Sequence, residues 1–177
     1  YVPAQNEKAQ KAMDMAEFAC AKESFAVAFN GRNIGANPYK GFISVAKAYG
    51  WTNAGKLANY YAGICYLNLK KYDDAIKYLD KFSTSDPIIG AVKLSATGDA
   101  YMELGKTDEG LKYYEKAAAF SDNQTYTPYF LFKTGMAYEH LKKKDEAKKC
   151  YEKIRDLYPK SEEAQRIDGY LARVSTP

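Results

Sequence analysis

The sequence predicts an all-α protein, a solenoid of antiparallel helix hairpins that ends in a capping helix. Three observations predict it: a repeated residue pattern, spacings of 35 and 37 residues between the repeats, and capping residues before prolines. In the pattern a Gly is followed three residues later by Tyr and nine residues further on by a small residue. The three occurrences are Gly63, Tyr66 and Ala75; Gly98, Tyr101 and Gly110; and Gly135, Tyr138 and Ala147.

The small residues have a packing role, because two antiparallel helices approach closely only where side chains are small. Gly63 is therefore expected to face Ala75 across one hairpin, with Tyr66 filling the space toward the next helix. One hairpin alone leaves an apolar face uncovered, and stacking further hairpins buries it. The spacing therefore predicts modules that are stable only next to their neighbours.

Along the chain, the first predicted helices cover residues 4–20 and 23–30. A Gly/Asn-rich connection follows over residues 31–37. Asn37, Asp86 and Thr127 each precede a proline, as a capping residue does before the first helical position. They are predicted to open helices 38–49, 87–104 and 128–141. The remaining predicted helices cover 54–69, 72–82, 107–120, 144–157 and 161–173, the last of them capped by Ser161.

This pattern resembles the tetratricopeptide repeat, a helix-turn-helix unit of about 34 residues. The length and composition of the chain predict one domain over 1–177. The chain departs from the family pattern in two ways. Asn59, Leu94 and Leu131 replace the aromatic residue at the first position of the repeat, and Lys142 stands where the hairpin turn usually has Gly. The parts of the domain are degenerate N-terminal helices at 1–53, modules at 54–87, 91–122 and 128–159, and a capping helix at 160–173.

A second resemblance concerns residues 42–66, which are similar to repeat proteins of the bacterial cell envelope. Those relatives join an N-terminal membrane helix to a periplasmic repeat domain. The resemblance implies a periplasmic protein whose membrane anchor precedes Tyr1. The cytoplasm is the alternative location, because free cysteines are usual there.

The charge balance argues against a nucleic-acid partner. The chain has 26 basic and 22 acidic residues and a net charge of +4, so its surface is mixed in sign. A lysine run at 142–144 continues with Lys148 and Lys149, and acidic residues interleave it. We interpret this segment as a salt-bridged helix surface.

Nothing in the sequence has the spacing of a catalytic, metal or cofactor site. Cys20, Cys65 and Cys150 are not spaced as metal ligands, and no Gly-rich phosphate loop is present. His140, the only histidine, has no nucleophile at a motif spacing. We expect a protein that is not an enzyme and binds no cofactor. A ligand pocket near His140 is the weakest alternative.

The resemblance to the repeat family implies that the first helix of each hairpin lines a concave binding groove. Its aromatic, thioether and acidic side chains suit an extended or helical peptide, or a protein, with apolar anchors. The basic clamp for a C-terminal carboxylate is absent, and self-association as a homodimer is the alternative function. The candidate groove residues are Tyr60, Ile64 and Asn68; Asp99, Met102 and Glu103; and Tyr129, Met136 and His140.

Overall fold

The computed structural model describes residues 2–22, 30–32, 39–120 and 122–176. These residues are mainly helical, as predicted, and they belong to two compact units, Tyr1–Ser83 and Thr84–Pro177. The boundary falls inside the first predicted module, 54–87, four residues before its end. The single domain over 1–177 stays a prediction.

The first unit contains four described helices and a short antiparallel ladder of two-residue strands, in which Gly31 pairs with Lys40 and Arg32 with Tyr39. The predicted helix 23–30 and the connection 31–37 lie mostly outside the described residues. The elements are α1 (Val2–Lys22), β1 (Gly31–Arg32), β2 (Tyr39–Lys40), α2 (Phe42–Tyr49), α3 (Asn53–Asn68) and α4 (Tyr72–Asp80).

The predicted start of the helix at Pro38 is wrong. Tyr39 and Lys40 are extended because their backbone pairs with β1, and α2 begins only at Phe42. The backbone carbonyl of Gly41 accepts from the amides of Ser44 and Val45 and so starts the helix. Strand pairing has overridden a local start signal whose own residues, Asn37 and Pro38, lie outside the described part.

A tight corner joins α2 to α3. The Thr52 hydroxyl caps α3 by accepting from the Gly55 amide at 2.9 Å. A Cβ on Gly55 would lie 1.8 Å from the carbonyl oxygen of Tyr49, so no other residue fits there. Trp51, in the same corner, is 62% exposed, and its ring centroid lies 6.5 Å from that of Tyr49.

The core of the first unit joins α1 to α2 and α3. Small and apolar side chains from all three helices are fully buried there, and Tyr66 stacks toward Tyr78 of α4 with ring centroids 5.2 Å apart. This confirms that Tyr66 fills space toward the next helix. The fully buried core side chains include Ala9, Met13, Ala16, Phe42, Val45, Ala58 and Ala62.

The second unit contains five α-helices among its described residues. Asp86 caps the first of them, as predicted, and accepts from the amides of Ile88 and Ile89 at 2.9 and 2.8 Å. The helices are α5 (Pro87–Glu103), α6 (Thr107–Phe120), α7 (Thr127–His140), α8 (Lys144–Leu157) and α9 (Ile167–Ser175), with a 3₁₀ turn at Ala164–Arg166 before α9.

Two predicted caps in this unit have different outcomes. Thr127 does not cap α7, because it is already the first helical residue and its hydroxyl accepts from the Asn123 amide. Ser161 does cap its segment, accepting from the Ala164 amide at 3.1 Å. That segment starts as a 3₁₀ turn, so the α-helix proper begins six residues after Ser161 and runs to Ser175.

Each repeat glycine lies against a large side chain sixteen residues later. A Cβ on Gly98 would meet the Tyr114 ring at 2.6 Å and the Gly110 carbonyl oxygen at 3.1 Å. The nearest atoms to Gly63 belong to Leu79 rather than to Ala75, one turn further along α4 than expected. A Cβ on Gly135 would likewise meet the Tyr151 ring at 2.4 Å. The glycines therefore make room for Leu79, Tyr114 and Tyr151, each four residues after the small residue of its pattern.

No helix in the described part of the chain combines the length and apolar character needed to cross a membrane.

Candidate functional site

An ion pair links the first helices of the second and third modules, α5 and α7. Lys133 Nζ lies 2.5 Å from Asp99 Oδ1 and 3.2 Å from Ser95 Oγ. The Tyr114 hydroxyl, on α6, donates to the same Asp99 oxygen at 2.5 Å. Two donors, the Lys133 ammonium and the Tyr114 hydroxyl, thus converge on Asp99 and hold it in a fixed position. We call the surface beside this ion pair, which carries Asp99, Tyr129, Lys133, Met136 and His140, the α5–α7 face.

Aromatic rings enclose the Lys133 ammonium. It lies 5.1 Å from the ring centroid of Tyr114 and 5.0 Å from that of Tyr129, within the range of a cation–π contact. Only 18% of the Lys133 side chain is exposed, against 33% for Asp99. Burial, with the charge of Asp99, raises the pKa of the Tyr114 hydroxyl, which therefore stays a donor at neutral pH. The centre is preorganised, because every member is held by another.

Sequence reasoning identified Asp99 and Tyr129 but missed Lys133, the residue that joins them. A signal was available, since Lys133 follows Asp99 by 34 residues, about one repeat. Residues one repeat apart occupy neighbouring positions on successive first helices. Opposite charges at that spacing indicate an ion pair across modules.

A second polar centre joins α7 to α9. Glu139 accepts from Arg173 Nε at 2.8 Å, from Arg173 Nη2 at 2.6 Å and from the Tyr151 hydroxyl at 2.5 Å. Burial alone would raise the pKa of the Glu139 carboxyl, but these hydrogen bonds together lower it below its ordinary value of 4.5. Glu139 therefore stays ionised and ties the capping helix to α7.

The capping helix also covers part of the third module. Phe132 packs edge-on against Tyr170 with ring centroids 4.8 Å apart, and the Arg166 guanidinium lies 4.5 Å from the Phe132 ring. Arg173 stacks in the same way on Tyr170. These contacts make Phe132 a packing residue, whereas another side of α7 stays exposed to solvent.

Three predicted groove residues remain on that exposed side of α7. Tyr129 and Met136 are 43% and 42% exposed, and His140 is exposed at the helix end. With Lys133 they are separated by four, three and four residues, which places them along one stripe of the helix. Arg173 Nη2 reaches to 4.0 Å from the Met136 sulfur. The stripe is continuous and combines apolar surface with fixed charge.

The other two predicted residues of the second module differ in exposure. Met102 is half-buried and packs with Leu111 and Tyr114 inside the α5–α6 hairpin, where a Cβ on Gly110 would lie 2.7 Å from its sulfur. Glu103 is exposed beyond it on α5. Met102 therefore contributes to packing, and Glu103 to the accessible surface.

The groove residues of the first unit mainly pack within it. Tyr60 lies between Tyr61 and Phe82, with ring centroids 5.4 and 5.3 Å away, and burial raises the pKa of its hydroxyl. Asn68 is exposed, and its side chain donates to the carbonyl of half-buried Ile64 at 2.9 Å. The helix α3, which carries these three residues, thus exposes less apolar surface than α7 does.

The described residues include no group of three or more His, Cys, Asp or Glu that could hold a metal ion. The side chains of Cys65 and Cys150 are buried, and burial raises the pKa of Cys150 to about 11. The side chain of Cys20 lies outside the described part. A thiol with so high a pKa is a poor nucleophile at neutral pH.

Comparison with protein families finds the tetratricopeptide repeat three times. The matched residues are 57–87, 97–123 and 129–161. A search of the curated proteins finds no significant match.

Solved structures similar to the chain have the same fold. The crystal structure of MamA protein is 21% identical with a TM-score of 0.71, and the match covers 95% of this chain and 82% of that one. The first repeat domain of Spaghetti (RPAP3), bound to the HSP90 peptide SRMEEVD, is 30% identical with a TM-score of 0.53, covering 68% of this chain and 90% of that one.

A third similar structure is PcrH in complex with the chaperone-binding region of PopB. It is 19% identical with a TM-score of 0.55, and the match covers 70% of this chain and 96% of that one. Together these likenesses confirm the predicted fold class.

Proposed function

Because the chain belongs to the tetratricopeptide repeat family, we propose that it is a non-enzymatic scaffold that binds a partner protein or peptide through the α5–α7 face. The observation that carries the proposal is the exposed stripe of Tyr129, Met136 and His140 beside the fixed Lys133–Asp99 pair. Tyr and Met are enriched at protein interfaces, and a rigid polar neighbour orients what binds there.

The peptide bound by the Spaghetti (RPAP3) domain supports this type of function, since that domain is 30% identical to this chain. The peptide in question is acidic, whereas the α5–α7 face offers one ammonium group already paired with a carboxylate. We therefore propose that apolar contacts with Tyr129 and Met136 supply most of the affinity here.

The test begins with the tagged full-length protein in its native organism, where chemical crosslinking identifies the bound partner. The affinity of the purified partner is then measured for the unchanged protein and for Tyr129→Ala/Met136→Ala. Loss of two central apolar contacts is expected to weaken binding at least about tenfold. Asp99 is unsuitable as a probe, because its removal would leave Lys133 without its carboxylate.

The matched control is Leu157→Ala, which removes a 59% exposed apolar side chain from α8, outside the face. It is expected to bind as the unchanged protein does. Equal affinity of the double variant and the control would overturn the proposed face. Matching thermal unfolding curves for all three proteins would show that the fold is intact.

We further propose that the full-length protein works in a bacterial envelope complex and reaches the periplasm with a membrane anchor. The support is the resemblance of residues 42–66 to envelope repeat proteins. Protease treatment of intact spheroplasts tests it: a periplasmic domain is digested, whereas a cytoplasmic one is protected and would refute the proposal. Sedimentation analysis separates the alternative, a homodimer, from a monomer that binds a different protein.

A further inference from the structure

A cleft of about 500 Å³ opens where the α7–α8 turn meets the end of α9. Its volume is within the range of ordinary ligand pockets. Four lysines line it, and the end of α9 forms the opposite wall. We call this the basic cleft; its lining consists of Lys142, Lys143, Lys144, Lys148, Asp145, Glu146, Val174, Ser175 and Thr176.

The lysines of the basic cleft form no ion pair with any carboxylate in the described part of the chain. The salt-bridged surface predicted from the sequence is therefore wrong here. Asp145 stands three and four residues before Lys148 and Lys149 in α8, a spacing at which helical side chains can meet, but no ion pair joins them in the described structure. Lys144 alone has a polar contact, donating to the carbonyl oxygen of Thr176 at 2.9 Å.

The positive charge of the cleft is local. The unit Thr84–Pro177 contains 15 basic and 15 acidic residues, so its net charge is zero. Residues 142–149 hold five lysines against two acidic residues. Half-buried Lys148 and the exposed lysines before it thus concentrate positive charge against a concave wall within a neutral unit. Such a concentration of unpaired ammonium groups attracts carboxylates.

We infer that the basic cleft is a second binding site, whose ligand is a short acidic peptide segment of another protein. The concave wall formed by α9 suits an extended chain better than a flat membrane surface. Asp145 and Glu146, which also line the cleft, would repel the continuous negative charge of a nucleic acid. A peptide with spaced carboxylates can place its backbone amides beside those two residues.

The test uses a short labelled peptide of alternating Glu and Gly, with a peptide in which Gln replaces Glu for comparison. Fluorescence anisotropy measures the binding of each to the full chain. We expect the Glu peptide to bind and the Gln peptide not to. Since the lysines are accessible to solvent, binding should weaken between about 0.05 M and about 0.5 M NaCl.

The informative variant is Lys143→Gln/Lys148→Gln, which leaves Lys144 and its contact with Thr176 in place. We expect it to weaken binding of the Glu peptide about fivefold or more. Its matched control, Lys149→Gln/Lys153→Gln, removes the same charge from positions of α8 outside the cleft. The control should change the affinity less than about twofold.

Three results would overturn the inference: equal binding of the Glu and Gln peptides, equal losses in both double variants, or stronger retention on phosphatidylserine vesicles or an oligonucleotide than on the Glu peptide. The Tyr129→Ala/Met136→Ala variant should bind the Glu peptide normally. Failure of the α5–α7 face and failure of the basic cleft are therefore distinguishable.

Discussion

At Gly98 the missing side chain decides how closely α5 and α6 pack. The position that a Cβ would occupy is 2.6 Å from the Tyr114 ring, whose hydroxyl is held by Asp99 at 2.5 Å. The ring therefore cannot swing away without breaking the polar centre of the α5–α7 face. A single methyl group at Gly98 would thus disturb both the hairpin and the site.

We expect Gly98→Ala to lower the free energy of unfolding by about 1 to 3 kcal/mol, because overpacking outweighs the gain in helix propensity. Gly169→Ala, in α9, is the control. Nothing lies within 4 Å of its Cβ position, so the higher helix propensity of Ala should raise the free energy of unfolding by about 0.5 to 1 kcal/mol. Urea titrations followed by circular dichroism measure both, and stabilisation of Gly98→Ala would contradict the packing.

The pattern of Gly, Tyr and a small residue identifies the glycines at which the two helices of a hairpin pack closely. It does not identify the atoms in contact, because several residues of the facing helix can reach one glycine. Lys133 was missed for a related reason: the pattern describes positions within a module, while the ion pair with Asp99 joins two modules. Such a contact between modules can be predicted only by comparing residues that are one repeat apart in the sequence, as Asp99 and Lys133 are.

The turns inside the hairpins show how one backbone shape accepts different residues. Lys70, Gly105 and Lys142 all have positive φ, of 58°, 72° and 61°. In each turn the next residue donates back to the repeat tyrosine five positions earlier, as Lys143 does to Tyr138 at 2.9 Å. This ending favours glycine, so the two lysines store conformational strain.

Lys142→Gly is therefore expected to raise the free energy of unfolding by up to about 1 kcal/mol, by removing an unfavourable left-handed conformation. Gly105→Ala should lower it by about 1 kcal/mol, and this is a purely conformational effect because nothing lies within 4 Å. Parallel urea titrations compare the two. Shifts of the same sign in both variants would contradict the account.

Most element types and several boundaries were predictable because the helices begin or end at strong local signals. Asp86 before a proline, and the acidic residues Asp145 and Glu146 in the first turn of α8, are examples. The start of α2 was not, since pairing with Gly31–Arg32 holds Tyr39 and Lys40 extended. The dipeptide Asn37–Pro38 carries no information on this ladder, because the pairing depends on residues outside it.

For the molecule as a whole, the end of the repeat array depends on α9. Ile167, Leu171 and Val174 are at most 9% exposed and complete a core with Ile154 and Leu131. The last module would otherwise expose that apolar face to water. A terminal helix that covers the final repeat is what the sequence predicted, and Ser161 caps the 3₁₀ turn that precedes it.

Removal of residues 160–177 is expected to lower the free energy of unfolding by at least about 4 kcal/mol, from the loss of three buried apolar side chains at about 1.5 to 3 kcal/mol each. Thermal unfolding followed by circular dichroism measures the effect. Leu157→Ala, which truncates a 59% exposed side chain, should leave the curve nearly unchanged. An unaltered melting temperature in the shortened chain would show that the helix is dispensable.

The accessible corner that carries Trp51 has a practical consequence for spectroscopy. It is the chain's only tryptophan, is 62% exposed, and belongs to the unit Tyr1–Ser83. Its fluorescence emission therefore reports the polarity around one corner of that unit. Because the indole is exposed to water in the folded protein, unfolding changes its emission little. A fluorescence trace can stay flat while α5 to α9 melt, so tyrosine absorbance, with 17 chromophores, is the fuller optical reporter.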